Sequence, residues 1–89
     1  MSTVSVETIN GTVVVIPIGS TTVSNPILFL EVNGLIQQGC FIVQQYGTSI
    51  RYIFPVLTST GGIDLVCISQ VYGTPLPAVD LNINVYVGQ

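Results

Sequence analysis

The chain has 89 residues, enough for one domain, and only 6% of them are charged, against about 25% in a typical soluble domain. It has one Lys or Arg side chain and no His, so it lacks the cations with which proteins neutralise nucleic-acid phosphates or anionic membranes. The commonest general base and the amine nucleophile are absent too. We therefore predict neither nucleic-acid binding, nor membrane insertion, nor catalysis.

The first third of the chain predicts three strands. Period-2 alternation and β-branched residues indicate strands at 3–9 and 12–18, and Asn10-Gly11 between them has the composition of a two-residue hairpin turn. Strand 12–18 is apolar on both faces, and Pro17 indicates an edge or a bulge. After a polar loop, a third strand is expected at 27–32.

The middle of the chain continues this pattern. Asn33-Gly34 predicts a second tight hairpin, and residues 35–46 predict a long strand that Gly39 either bends or divides. Further strands are expected at 50–57 and 63–72. The stiff segment Gly73-Thr74-Pro75-Leu76-Pro77 leads to the last strand.

The last strand has the clearest alternation. Every second residue is apolar, and the residues between include Asn82 and Asn84. This pattern predicts one face in a core and one face towards solvent or a partner. The expected buried face consists of Val79, Leu81, Ile83, Val85 and Val87.

Together these elements predict a single all-β domain over residues 1–89. Seven strands are expected, or eight if Gly39 divides the fourth. So many short antiparallel strands in so short a chain indicate a compact sandwich, a small jelly roll or a small barrel.

Three polar or reactive residues stand out from this pattern. Arg51 lies among apolar neighbours, where it is either exposed across an aromatic ring or engaged in an intersubunit contact; if buried, it needs an acidic or carbonyl acceptor. Cys40 and Cys67 are too few for a zinc site and are expected to be buried thiols or one disulfide.

Catalytic, metal and cofactor motifs are missing from the sequence. The four acidic residues Glu7, Glu31, Asp64 and Asp80 are scattered, so no carboxylate pair or calcium cluster is indicated. The glycosylation pattern at 10–12 is explained equally well by the hairpin. We expect no catalytic residue, no cofactor and no metal.

Low charge is the strongest functional signal, because interface centres are depleted in charge and free monomers usually are not. We expect a homo-oligomer or a subunit that packs against other proteins. By composition the chain resembles virion-shell and extracellular-filament subunits. The absence of a signal-peptide pattern favours a coat, penton, spike or cement protein located in the virion. The alternatives are a cell-surface filament subunit joined by strand addition and a small ligand-binding β-barrel.

The sequence predicts a stability that barely changes between about pH 6 and pH 8, because no His or Lys titrates there. With four acidic side chains, acid should also destabilise the fold less than in an average domain. Thermal melts at acidic and neutral pH measure this. A midpoint tens of degrees lower at about pH 3 would reveal a carboxylate on which the fold depends.

Overall fold

Eight antiparallel strands form the fold, confirming the all-β prediction. The computed structural model describes residues 3–6, 13–73 and 75–88, the first group by its backbone. The strands are β1 (Thr3–Val6), β2 (Val13–Ser20), β3 (Ile27–Val32), β4 (Leu35–Gln38), β5 (Phe41–Tyr46), β6 (Ser49–Leu57), β7 (Gly62–Gln70) and β8 (Leu81–Gly88).

The strands lie in two four-stranded sheets. Sheet A has the order β1-β8-β3-β4, and sheet B has the order β2-β7-β6-β5. Neither sheet closes on itself within the described residues, so of the three expected architectures the compact sandwich is formed. The first and last strands pair within sheet A, and β2 pairs with β7 in sheet B, so partners distant in sequence join both ends of the chain.

Two turn predictions have different outcomes. Asn33 and Gly34 have φ values of 51° and 90° and join β3 to β4 as the predicted hairpin. The predicted pairing of the first two strands is wrong, because β1 and β2 lie in different sheets. The Asn10-Gly11 turn itself, like the glycosylation pattern at 10–12, lies outside the described residues.

Gly39 divides the predicted fourth strand in two. Its φ of 87° is readily adopted by glycine. On either side of it, β4 belongs to sheet A and β5 to sheet B. The chain thus crosses between the sheets over a two-residue connection, and this crossing explains why eight strands form.

The core lies between the inner faces of the two sheets. In sheet A, Leu81, Ile83 and Val85 are buried, while Asn82 between them is exposed. The register predicted for the last strand is therefore confirmed, with Val79 and Val87 packed partly buried against the core. From sheet B come mainly Ile53, Ile63, Leu65 and Cys67, each at most 2% exposed.

Both edges of sheet B contain a register irregularity. In β2 it lies between Pro17 and Gly19, as Pro17 predicted, and it accompanies the burial of Ile18. In β5 it lies between Ile42 and Gln44. Irregular edges of this kind hinder the addition of a further strand.

Substitutions on the two faces of β8 should differ in how much they destabilise the fold. Ile83→Asp puts an unpaired charge in a fully buried apolar position and should cost several kcal/mol, enough to unfold a domain this small. Asn82→Asp, one residue away on the exposed face, should cost under about 1 kcal/mol. Urea unfolding of both variants measures the difference, and equal losses would contradict this register.

Candidate interaction surface

The outer face of sheet B is apolar from one edge to the other. Residues that are paired across neighbouring strands form rows that cross the sheet. On the outer side of sheet B, two adjoining rows and one end of a third together contain eight apolar side chains from four strands. We call these residues the apolar face: Val13, Val15, Ile42, Tyr52, Phe54, Val56, Val66 and Ile68.

Much of the apolar face is open to solvent. Val13, Val15 and Ile42, on the two edge strands, are 61%, 56% and 60% exposed. The rings of Tyr52 and Phe54 are stacked with centroids 6.3 Å apart, so they give the centre of the face a broad aromatic surface. Contiguous apolar patches of several hundred Å² on a soluble domain usually mark an interaction site.

The surroundings of this face are almost uncharged. Asp64 is the only charged residue on the outer side of sheet B among the described residues, and it lies beside the apolar face, paired with Pro17 and Val56. Gln45 and Gln70 flank Ile50 at the opposite end. The face therefore has an apolar centre and a sparse polar rim, the usual anatomy of a protein interface.

The outer face of sheet A differs, because polar groups lie at its centre among apolar residues that include Phe29 and Ile36. The Glu31 carboxylate accepts hydrogen bonds from Asn84 Nδ2 at 2.6 Å and from the Tyr86 hydroxyl at 3.0 Å. The hydrogen bond to Glu31, followed by burial and the nearby negative charge, raises the pKa of Tyr86 above its ordinary value. Asn84 thus holds a carboxylate in place as well as facing outward.

Arg51 is buried inside the subunit, 1% exposed, on the inner side of β6. Its Nε donates to Ser69 Oγ at 3.0 Å, and its Nη1 donates to Gln44 Oε1 at 2.8 Å and to the Pro77 carbonyl at 2.9 Å. The expected carbonyl acceptor is present. This placement differs from both alternatives, the exposed side chain and the intersubunit contact.

The irregularity in β5 explains how Arg51 obtains one of these acceptors. Strict alternation after Ile42 would turn Gln44 to the outer face, but the register shift sets Gln44 opposite Arg51 on the inner face. A bulge re-aims side chains in this way. The amide oxygen of Gln44 thereby reaches the guanidinium.

Residues at the start of β6, next to Arg51, also bind the connection from β7 to β8. Ser49 Oγ accepts from the Tyr72 backbone N–H at 3.0 Å, and Thr48 Oγ1 donates to the Tyr72 carbonyl at 3.2 Å. With the Arg51 bond to Pro77, these contacts fix the segment that carries the chain back to sheet A. Leu76 in this segment is buried.

The two cysteines are separate and unbonded. Cys67 is a buried thiol, as expected, and its burial raises its pKa, although the nearby Arg51 charge and a hydrogen bond with Ser69 lower it in part. Cys40 is exposed, which corrects the expectation that both thiols are buried or bridged. Its position in the crossing after Gly39 keeps it out of the core.

Acidic residues do not converge on a reactive centre in the part of the chain that the structure describes. Glu31 lies on sheet A, Asp64 on sheet B and Asp80 in the connection before β8. No group of three His, Cys, Asp or Glu side chains that could hold a metal is found among residues 3–6, 13–73 and 75–88. Across these residues, no helix is long and apolar enough to span a membrane.

A shallow cleft of about 160 Å³ opens between the sheets beside β4 and β5. Its walls include Leu35, Phe41 and Leu81, and its polar lining is sparse. Leu35 at its rim is 70% exposed. The cleft offers little to orient a ligand, because small-molecule sites combine apolar walls with a few placed polar groups.

Sequence reasoning singled out Arg51 and the cysteines but missed the apolar face. The signal was present, because 50–57 and 63–68 contain apolar residues at both odd and even positions. Such nearly continuous runs are typical of strands covered on both faces. No protein-family model, curated protein or solved structure matches this chain.

Arg51→Lys should destabilise the fold by about 2–4 kcal/mol, because a single ammonium cannot reach the three acceptors that the guanidinium fork reaches. Gln44→Met, which removes one acceptor and keeps the side-chain length, should cost less, about 1–2 kcal/mol. Urea unfolding of both variants measures these losses. If Arg51→Lys is as stable as the parent, the guanidinium contacts do not hold this end of the sandwich together.

Proposed function

We propose that this chain is a non-enzymatic structural subunit that joins a larger protein assembly through its apolar face. The observation that carries the proposal is the contiguous apolar outer surface of sheet B, whose edge positions Val13, Val15 and Ile42 are each more than half exposed. Covering this surface with protein removes it from water, the dominant favourable term in association. Small domains also gain the most from such additional burial.

Charge supports the same proposal. Within the described residues, the only Arg is buried and no Lys exists, so the surface offers carboxylates but no cationic side chain. Recognition by complementary charge is therefore weak from this side. Apolar packing is the remaining source of affinity.

A virion shell is the assembly that we favour, with the chain as a coat, penton, spike or cement protein located in the particle. Composition is its support, since shell subunits combine β structure with few charges. The ligand-binding barrel loses support, because the sheets stay open to each other and the cleft between them has few polar groups.

The filament alternative retains one observation of its own. β4 is an edge strand of sheet A whose four side chains are all exposed. No register irregularity interrupts its pairing with β3, unlike the two edges of sheet B. A regular free edge of this kind accepts an additional strand.

Charge placed on the apolar face should break association before it breaks the fold. Val15→Lys lies on an edge strand and is more than half exposed, so it should cost the isolated fold only a few tenths of a kcal/mol. In a covered interface the same unpaired charge costs several kcal/mol. Sedimentation velocity over a concentration series should show a large species for the parent and a folded small species for Val15→Lys.

Two control variants define the surface. Thr22→Lys adds the same charge in the exposed loop that follows β2, outside the apolar face, and should leave association unchanged. Ile36→Pro removes a backbone N–H that the hairpin register directs to the free edge of β4, so it should weaken association only if strand addition joins subunits. A parent that stays monomeric at every concentration, with the solubility of Val15→Lys, would contradict the proposal.

A further inference from the structure

We infer that the apolar face packs against the same face of a second copy of this chain. The two copies are related by a twofold axis that lies between their B sheets and runs perpendicular to the strands. The inference rests on the proposed function and names the partner of the same surface. It follows from the way in which polar and apolar residues are distributed along sheet B.

Four rows cross the strands on the outer side of sheet B, and the pair Ser20–Gly62 lies beyond the fourth row at the end of β2. Two middle rows are entirely apolar, one containing Tyr52 and Ile68 and the next containing Phe54 and Val66. Within these four rows, the polar residues lie only in the first and the fourth. Gln70, the last residue of β7, lies in one of them, and Asp64, near the start of β7, lies in the other.

This arrangement is complementary to itself under a half-turn. Rotation about an axis across the strands places each strand over its own copy and exchanges the two ends of the sheet. The Tyr52 row then faces the Phe54 row of the second copy, so the apolar rows meet only apolar rows. On β7, Asp64 comes to lie opposite Gln70 of the second copy.

Charge selects this axis over the other face-to-face arrangement. A half-turn about the strand direction keeps the end rows together and brings the two Asp64 carboxylates to the same end of the interface. Repulsion between the two carboxylates destabilises this arrangement, and the described surface has no cationic side chain that could offset the repulsion. Across the chosen axis, each carboxylate meets a neutral amide that can donate to it.

The area is sufficient for a specific pair. Four strands about 4.8 Å apart and four rows about 6.8 Å apart cover roughly 500 Å² per copy. Two copies together therefore bury on the order of 1,000 Å², which is near the lower limit for a biological interface. Facing sheets pack about 10 Å apart, a spacing that the branched and aromatic side chains of the face can fill.

Variants at Gln70 provide a test that depends on the axis. Gln70 is exposed in the subunit, so substitutions there should leave the fold intact, which far-ultraviolet circular dichroism of the variants checks. Gln70→Lys should tighten the pair about fivefold, because it meets Asp64 of the second copy twice per dimer. Gln70→Glu should weaken it by a similar factor. The dissociation constant is measured by sedimentation equilibrium in low salt.

A double variant provides the rescue. Asp64→Lys combined with Gln70→Glu restores an opposite-charge contact across the axis, so it should bind more tightly than Gln70→Glu alone.

If Gln70→Lys and Gln70→Glu shift the dissociation constant in the same direction while Val15→Lys still abolishes association, the axis is wrong and the proposed function stands. A parent that binds a different protein through the apolar face but never itself also overturns the inference alone. Monomeric behaviour that no face variant changes overturns both.

Discussion

The buried guanidinium of Arg51 is the interaction on which the arrangement of both sheets depends. It connects β5 through Gln44, β7 through Ser69 and the returning segment through Pro77. That segment delivers β8, which pairs with both β1 and β3 and so lies in the interior of sheet A. A charge without a carboxylate partner among the described residues is costly to bury. Three neutral acceptors offset this cost and fix the geometry in return.

Burying this side chain has a consequence at the surface. Because the chain has one Lys or Arg side chain, its use in the core leaves the described surface without a cationic side chain. Ion pairs with a neighbour then require the neighbour to supply every cation. Apolar contact requires no cation from the neighbour, and sheet B has apolar residues on both of its faces. The core and the proposed interface are thus two sides of one sheet.

The strands and the Asn33-Gly34 turn could be predicted because their signals are local. Alternation fixed the face of Ile83, and Asn33-Gly34 fixed a hairpin through positive φ values. The pairing of β1 with β8 could not be predicted, because strand order depends on contacts between distant residues. The inward turn of Gln44 was equally hidden, since a bulge reverses the alternation on which the reading of the face depends. The acceptor that Gln44 offers to Arg51 could therefore not be predicted.

The contrast between the two outer faces limits how the chain can assemble. Sheet A presents a carboxylate hydrogen-bonded to Asn84 and Tyr86, and desolvating that group in a second contact is unfavourable. Under the proposed pairing, this carboxylate opposes further stacking through the outer faces of sheet A. Growth beyond the pair then depends on strand edges, and both edges of sheet B are irregular. Both edge strands of sheet A, β1 and β4, pair without a register shift, so the proposed pair could extend through the edges of sheet A but not through those of sheet B.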